Sequence, residues 1–214
     1  MDHTVNGSVL QTMIDHILMD FIGAMRGALE DALLQRQAVE ERFQVDVFLG
    51  DVSWETSYSL PGEEQPPRVR ADVSVDWPTW SQSAFRSWSI GEPPEDFPEI
   101  VLEITLRQQR LARAPDLAQV IACLPEESPE AGGEVLVRTA PLLEQVTEAD
   151  GTTRYAMETT YQGTFRLGYA LLEDPSGLGE PVASLARFVA SALVRLGDLE
   201  VTYLPPEPPR DASP

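Results

Sequence analysis

The chain has no lysine. All fifteen of its basic side chains are arginine, against thirty-five Asp and Glu, for a formal net charge of −20 and a pI near 4.3. That surplus argues against binding DNA, RNA or anionic membranes through the bulk surface, since such partners are held by basic patches. Cysteine is nearly absent too: Cys123 stands alone, which excludes an intramolecular disulfide and a cysteine-based zinc site. His3 and His16 are the only histidines, so a histidine-rich metal site is excluded as well. No long apolar run occurs. The N-terminal apolar stretch lacks a basic leader and is interrupted by Asp15, Asp20 and Arg26, which predicts neither a signal peptide nor a membrane span and a cytoplasmic location. Neither Gly-x-Gly-x-x-Gly, nor a Walker sequence, nor a Gly-x-Ser-x-Gly elbow is present. No cofactor or metal is therefore expected.

What is present is the pattern of a folded α+β protein. A hydrophobic content of 43% over 214 residues is enough for a sizeable core. The strongest helical pattern runs from Ser8 to about Arg42, with Leu10, Met13, Ile14, Ile17, Phe21, Met25, Leu29 and Val39 on one face and Ser8 with Gln11 as a capping box. At 1.5 Å per residue such a helix spans roughly 50 Å, more than its own domain can cover. Gly23 and Gly27 form a Gly-x-x-x-Gly step, and Ala24, Ala28 and Ala32 continue it on an adjoining ridge. Small residues at this spacing let a second helix approach closely, so these five are the expected interface of a homo-oligomer.

From Phe43 the period changes to two. Val45, Val47 and Leu49 alternate with polar partners, Trp54, Thr56 and Tyr58 follow, and Val69, Ala71, Val73, Val75 and Trp77 make the clearest half-buried strand. A short strand is expected over Ala84–Ile90, a central one over Ile100–Leu106, and a short helix around Leu117–Leu124. Strands are expected again at Val135–Thr139, Leu143–Thr147 and Thr153–Gln162, with Gly163 as a turn into a further strand, Thr164–Leu172. A second amphipathic helix follows, with Pro181 in its first turn and Gly197 at its end, and a last strand is expected over Leu199–Leu204. The expectation is one α+β domain over residues 1–204, with the long N-terminal helix (8–42) and the C-terminal helix packed on a mostly antiparallel sheet, and a Pro-rich flexible tail over 205–214.

Chemistry is harder to find. The strand carboxylates Asp46, Asp51, Asp72, Asp76, Glu99 and Glu103 are the only acid–base candidates. Their element order is compatible with nucleases of the PD-(D/E)xK type, with Asp72 or Asp76 and then Glu103 as the acids. Thr105 stands where that motif needs lysine, and no lysine exists to replace it, so no family is assigned. The one local concentration above background is WPTWSQSAFRSW, where Trp80, Phe85, Arg86 and Trp88 are the expected partner-binding segment, since exposed Trp beside Arg is typical of interface hot spots. The expected function is a non-enzymatic acidic assembly or adaptor protein that self-associates and binds another protein. The alternatives are an acidic mimic of nucleic acid directed at a basic partner, and a degenerate or metal-dependent nuclease-like hydrolase.

Overall fold

A computed structural model describes residues 7–33, 39–48, 51–60, 67–92, 96–168 and 179–205. The chain is α+β. In order it forms α1 (Gly7–Leu33), β1 (Val39–Phe48), β2 (Asp51–Ser59), β3 (Val69–Trp77), α2 (Thr79–Ser89), β4 (Glu99–Leu111), α3 (Leu117–Cys123), β5 (Val137–Arg138), β6 (Leu142–Thr147), β7 (Thr153–Arg166) and α4 (Gly179–Gly197). The strands build one seven-stranded sheet in the order β1-β2-β3-β4-β7-β5, with β6 also on β7, and every pairing is antiparallel.

Alternation in the sequence sets which side of this sheet is covered. Val69, Ala71, Val73, Val75 and Trp77 of β3 are buried, as are Ile100, Leu102, Ile104 and Leu106 of β4. Against that face lie α1, through Phe21, Ile22, Met25 and Leu29, and α4, through Leu185, Val189, Leu193 and Leu196. The two helices also pack on each other, and Phe21 meets Phe165 of β7 edge-on at 5.2 Å. Both helices are thus held by one apolar stripe each, which is where most helical stability in proteins comes from.

Several boundaries differ from the sequence expectation. The first helix ends at Leu33, and β1 begins at Val39, where the periodicity continues the helix to Arg42. Pairing of Val39 with Ser59 and of Phe43 with Thr56, around a bulge at Glu40/Arg42, overrides the helix propensity of the Ala-Val-Glu-Glu-Arg stretch. The expected strand over Ala84–Ile90 is the second half of α2. Pro78 stands at its N-cap, and the Asp51 carboxylate accepts both the N–H and the hydroxyl of Thr79, at 2.5 and 2.6 Å. A helix here brings Ser81 and Phe85 onto one buried face, a spacing that alternation over so short a stretch imitates. Gly163 does not turn: β7 runs straight through it to Arg166. Residues 199–204 contribute one bridge, Leu111 with Tyr203, rather than a strand. The expected Pro-rich tail and residues 169–172 of the expected last meander strand fall outside the described residues.

Candidate functional site

The side of the sheet turned away from α1 and α4 is mostly polar over β2, β3, β4 and β7, and carries the exposed Val137 and Leu142 on β5 and β6. Across β2, β3, β4 and β7 its successive rows read Ser59–Arg70–Arg107–Glu158, Ser57–Asp72–Thr105–Thr160, Glu55–Ser74–Glu103–Gln162 and Ser53–Asp76–Val101–Thr164. A depression of about 250 Å³ opens over the middle of this face. Its floor is a network. Asp72 accepts from Arg70 Nε at 2.5 Å and from the Ser57 hydroxyl at 2.5 Å, and Arg70 Nη2 donates to Ser57 Oγ at 2.9 Å. Arg107 Nε lies 2.9 Å from Glu158 and 3.5 Å from Asp72, an ion pair by distance whose N–H is aimed at neither oxygen. On the covered side of the neighbouring strand pair, Thr159 donates to Thr139 O at 3.2 Å, which ties β7 to the segment after β5.

This arrangement accounts for the strand carboxylates one by one. Asp72, Asp76 and Glu103 do share one face, as the alternation implies, but Asp72 is neutralised by arginine. Asp51 caps α2, and its hydrogen bonds from Thr79, side chain first and backbone second, hold its carboxyl below the usual range. Asp76 is shifted the other way. Burial raises it against a hydrogen bond from Ser74, and the Glu55 and Asp51 charges add to the rise. Glu99 opens β4 and Glu103 is exposed opposite Ser74. Asp46 lies on β1 opposite Ser53. Among the described residues no three His, Cys, Asp or Glu side chains are grouped to hold a metal ion. Of the four rows only the first carries arginine, Arg70 and Arg107, and the next three carry acids alone: Asp72, Glu55 with Glu103, and Asp76.

The aromatic segment divides. Trp80 is 47% exposed on the outer side of α2. Phe85 is a correction to the sequence expectation: it is buried against Trp77, ring to ring at 5.6 Å, and cannot touch a partner. Trp88 is half-buried and packed on the core, with Arg86 in the same last turn. Sequence reasoning missed Phe97, the most exposed aromatic of the described residues at 66%. With Trp80, Asp96, Glu99 and Arg166 it lines a depression of about 390 Å³ at the end of the sheet. An aromatic after the proline pair of a loop was the available signal.

On α1, Gly23 is exposed and Gly27 half-buried, and a Cβ added at either would meet no atom within 4 Å. Ala24 and Ala28 are half-buried against the core, and the side chain of Ala32 is outside the described residues. The small-residue ridges therefore separate: the alanines serve the chain's own core, while the glycines open to solvent beside Met19, which is 55% exposed. Among the described residues no helix is long and apolar enough to cross a membrane. No protein-family model, no curated protein and no solved structure matches this chain.

Proposed function

We propose that this is a non-enzymatic assembly or adaptor protein, which self-associates along the Met19–Gly23–Gly27 line of α1 and engages a protein partner through the Trp80–Phe97 depression. The observation that carries the reading is the exposure of two large aromatics around one depression with an arginine and two acids on its rim. Tryptophan and arginine are enriched among interface hot spots, where they fill well-packed, desolvated pockets. The residues most like a catalytic centre support it indirectly, since Asp72 is tied to Arg70 and Asp51 caps a helix. On the uncovered face Arg70 and Arg107 pair with Asp72 and Glu158, which weakens the reading as a nucleic-acid mimic, since that needs free carboxylates at phosphate-like spacing.

Sedimentation velocity on the full chain tests self-association. Dimers or larger species are expected at micromolar concentration, and Gly27→Arg dissociates them without unfolding the protein, because its Cβ meets nothing in its own chain. A strict monomer at the highest attainable concentration sinks the self-association half. For the second half, a partner recovered by cross-linking with the native chain must be lost on Trp80→Ala with Phe97→Ala. Unchanged recovery removes the aromatic depression from the proposal.

A further inference from the structure

Among the described residues several arginines pair with carboxylates, as in Arg26–Glu30, Arg70–Asp72, Arg154–Glu148 and Arg166–Glu134. Acids outnumber bases by thirty-five to fifteen, yet Arg138 and Arg195 are in no ion pair with a carboxylate among the described residues. Arg138 stands opposite Tyr161 on β5, so its side chain shares the covered side of the sheet with that ring, and its Nε and Nη1 are buried without a hydrogen-bond partner. Arg195, on the last turn of α4, makes one long contact, Nη1 to the Cys123 carbonyl at 3.4 Å. Both guanidinium charges act on the same pair of groups, since each favours ionisation of Cys123 and of Tyr161 against the larger, opposing effect of burial.

Beside them lies a groove of about 290 Å³ between α4 and the loop after α3. Ser184, Arg187, Ser191 and Arg195 recur along it at three- and four-residue spacing, so they form one polar stripe of the helix. Phe188 and two loop prolines supply an apolar wall, and Phe188 is fixed edge-on to Tyr161 at 5.0 Å, whose hydroxyl donates to Pro125 O at 2.6 Å. The only charged side chains in the lining are the two arginines. Arg187 is paired with Glu180 at 2.7 Å across the exposed flank of α4, which leaves Arg195 as its unneutralised cation. Glu126, Glu127 and Glu130 are exposed on the adjoining loop, and none forms an ion pair with Arg195 or Arg138 among the described residues. A preformed cleft with a few convergent donors and an apolar wall is the usual make-up of a small-molecule site, at the small end of the size range.

We infer that this groove binds a small organic anion. Its phosphate or carboxylate is held by Arg195 with the Ser191 and Ser184 hydroxyls, Arg138 adds positive charge from the neighbouring strand, and the apolar body rests on Phe188 and the prolines. The site is on the helix side of the molecule and does not depend on the assembly function proposed above.

Phenyl phosphate, inorganic phosphate and phenol serve as probes, with the full chain observed by titration calorimetry and by NMR shift changes at low salt. Phenyl phosphate is expected to bind saturably, more tightly than either of the other two, and more weakly as salt rises. Arg195→Gln lies on an exposed helix surface and should leave the fold intact. It loses a charge-assisted hydrogen bond to the anion, so the variant should weaken binding by roughly ten-fold or more. Arg154→Gln, remote on β7, should leave it unchanged. Absence of saturable binding overturns the inference, as does an equal loss in Arg154→Gln, which would mean diffuse charge attraction. Inorganic phosphate binding as tightly as phenyl phosphate overturns the assignment of the apolar wall.

Discussion

Ser81→Ala removes one oxygen and should be among the most damaging single substitutions in the protein. Ser81 is fully buried on α2, and its Oγ holds three groups together. It accepts the indole N–H of Trp77 at 3.1 Å and the backbone N–H of Glu99 at 2.7 Å, and it donates to the Glu99 carbonyl at 2.5 Å. The geometry explains why a strand end needs a serine. Leu167 N donates to Pro98 O, so the ladder bonds to β7 bracket Glu99 and leave its own N–H and C=O pointing the other way. On that side β3 pairs with β4 only as far as Asp76 with Val101, and the hydroxyl stands where the next strand residue would be. Alanine orphans an indole donor, an amide donor and a carbonyl at once. Each orphaned buried group costs about 1–3 kcal/mol, and partial relaxation brings the expected sum to about 2–4 kcal/mol. For a chain of this size that corresponds to a fall in Tm of roughly 5–15 °C. Urea denaturation followed by tryptophan fluorescence measures it, with Ser83→Ala, whose exposed hydroxyl only bonds back to Thr79 O, as the control. In a Trp77→Phe background the cost of Ser81→Ala should shrink, because one of the three orphans no longer exists. A loss inside the roughly 0.5 kcal/mol band of ordinary surface substitutions would refute the reasoning.

Three further outcomes follow from other parts of the fold. Gly163→Ala places a methyl 2.9 Å from Leu136 Cδ2 and 3.0 Å from Val135 O, so chemical denaturation should show a loss of about 1–3 kcal/mol; a gain would mean that the loop before β5 does not press on β7. Burial pushes the Tyr161 phenol up to about 12, against opposing charges on Arg138 and Arg195, whereas an unfolded tyrosine ionises near 10. The unfolded chain therefore binds fewer protons between these values, and this contribution to stability is full below about pH 10 and lost as pH rises toward 12. Stability measured across that window should fall less steeply in Tyr161→Phe than in the native chain, and equal slopes would contradict the assignment. Asp76 has its carboxyl raised by burial, so its charge works against folding above the folded pKa, and the penalty fades as pH falls toward the unfolded value. Asp76→Asn should accordingly stabilise the protein at neutral pH and make no difference in acid, as paired thermal melts would show.

Much of the architecture was legible because alternation and helical periodicity report burial directly. The β3 run Val69–Trp77 and the β4 run from Ile100 reach the structure unchanged, since each has one apolar and one polar face over at least seven residues. The failures occur where local pattern and tertiary partner disagree. Val39 continues the helical stripe of α1, yet the β1–β2 register needs it in a strand. Trp, Phe and Arg alternate from residue 84 to 88 like a strand, yet a carboxylate from β2 caps the segment and two buried anchors at positions 81 and 85 make it a helix. Gly163 looks like a turn, and it is there because another backbone passes above it.

Sites depend on register, and register was the part that sequence could not supply. Alternation alone puts Asp72, Asp76 and Glu103 on a common face, which is why they could be singled out. It puts Arg70 there as well, two residues from Asp72, but it does not say that Arg107 lies diagonally across, which turns Asp72 from a free acid into the centre of an ion-paired floor. The same holds on the other side of the molecule. Arg138 and Arg195 are separated by fifty-six positions of chain, and only the pairing of β5 with Tyr161, and of Tyr161 with Phe188, makes them neighbours. In a chain so rich in acid, charge counts point attention to the carboxylates. The pairing pattern reverses that emphasis. Where arginines pair with the acids, the acids are structural, and Arg138 and Arg195, with no acid partner among the described residues, hold positive charge that a bound anion would offset.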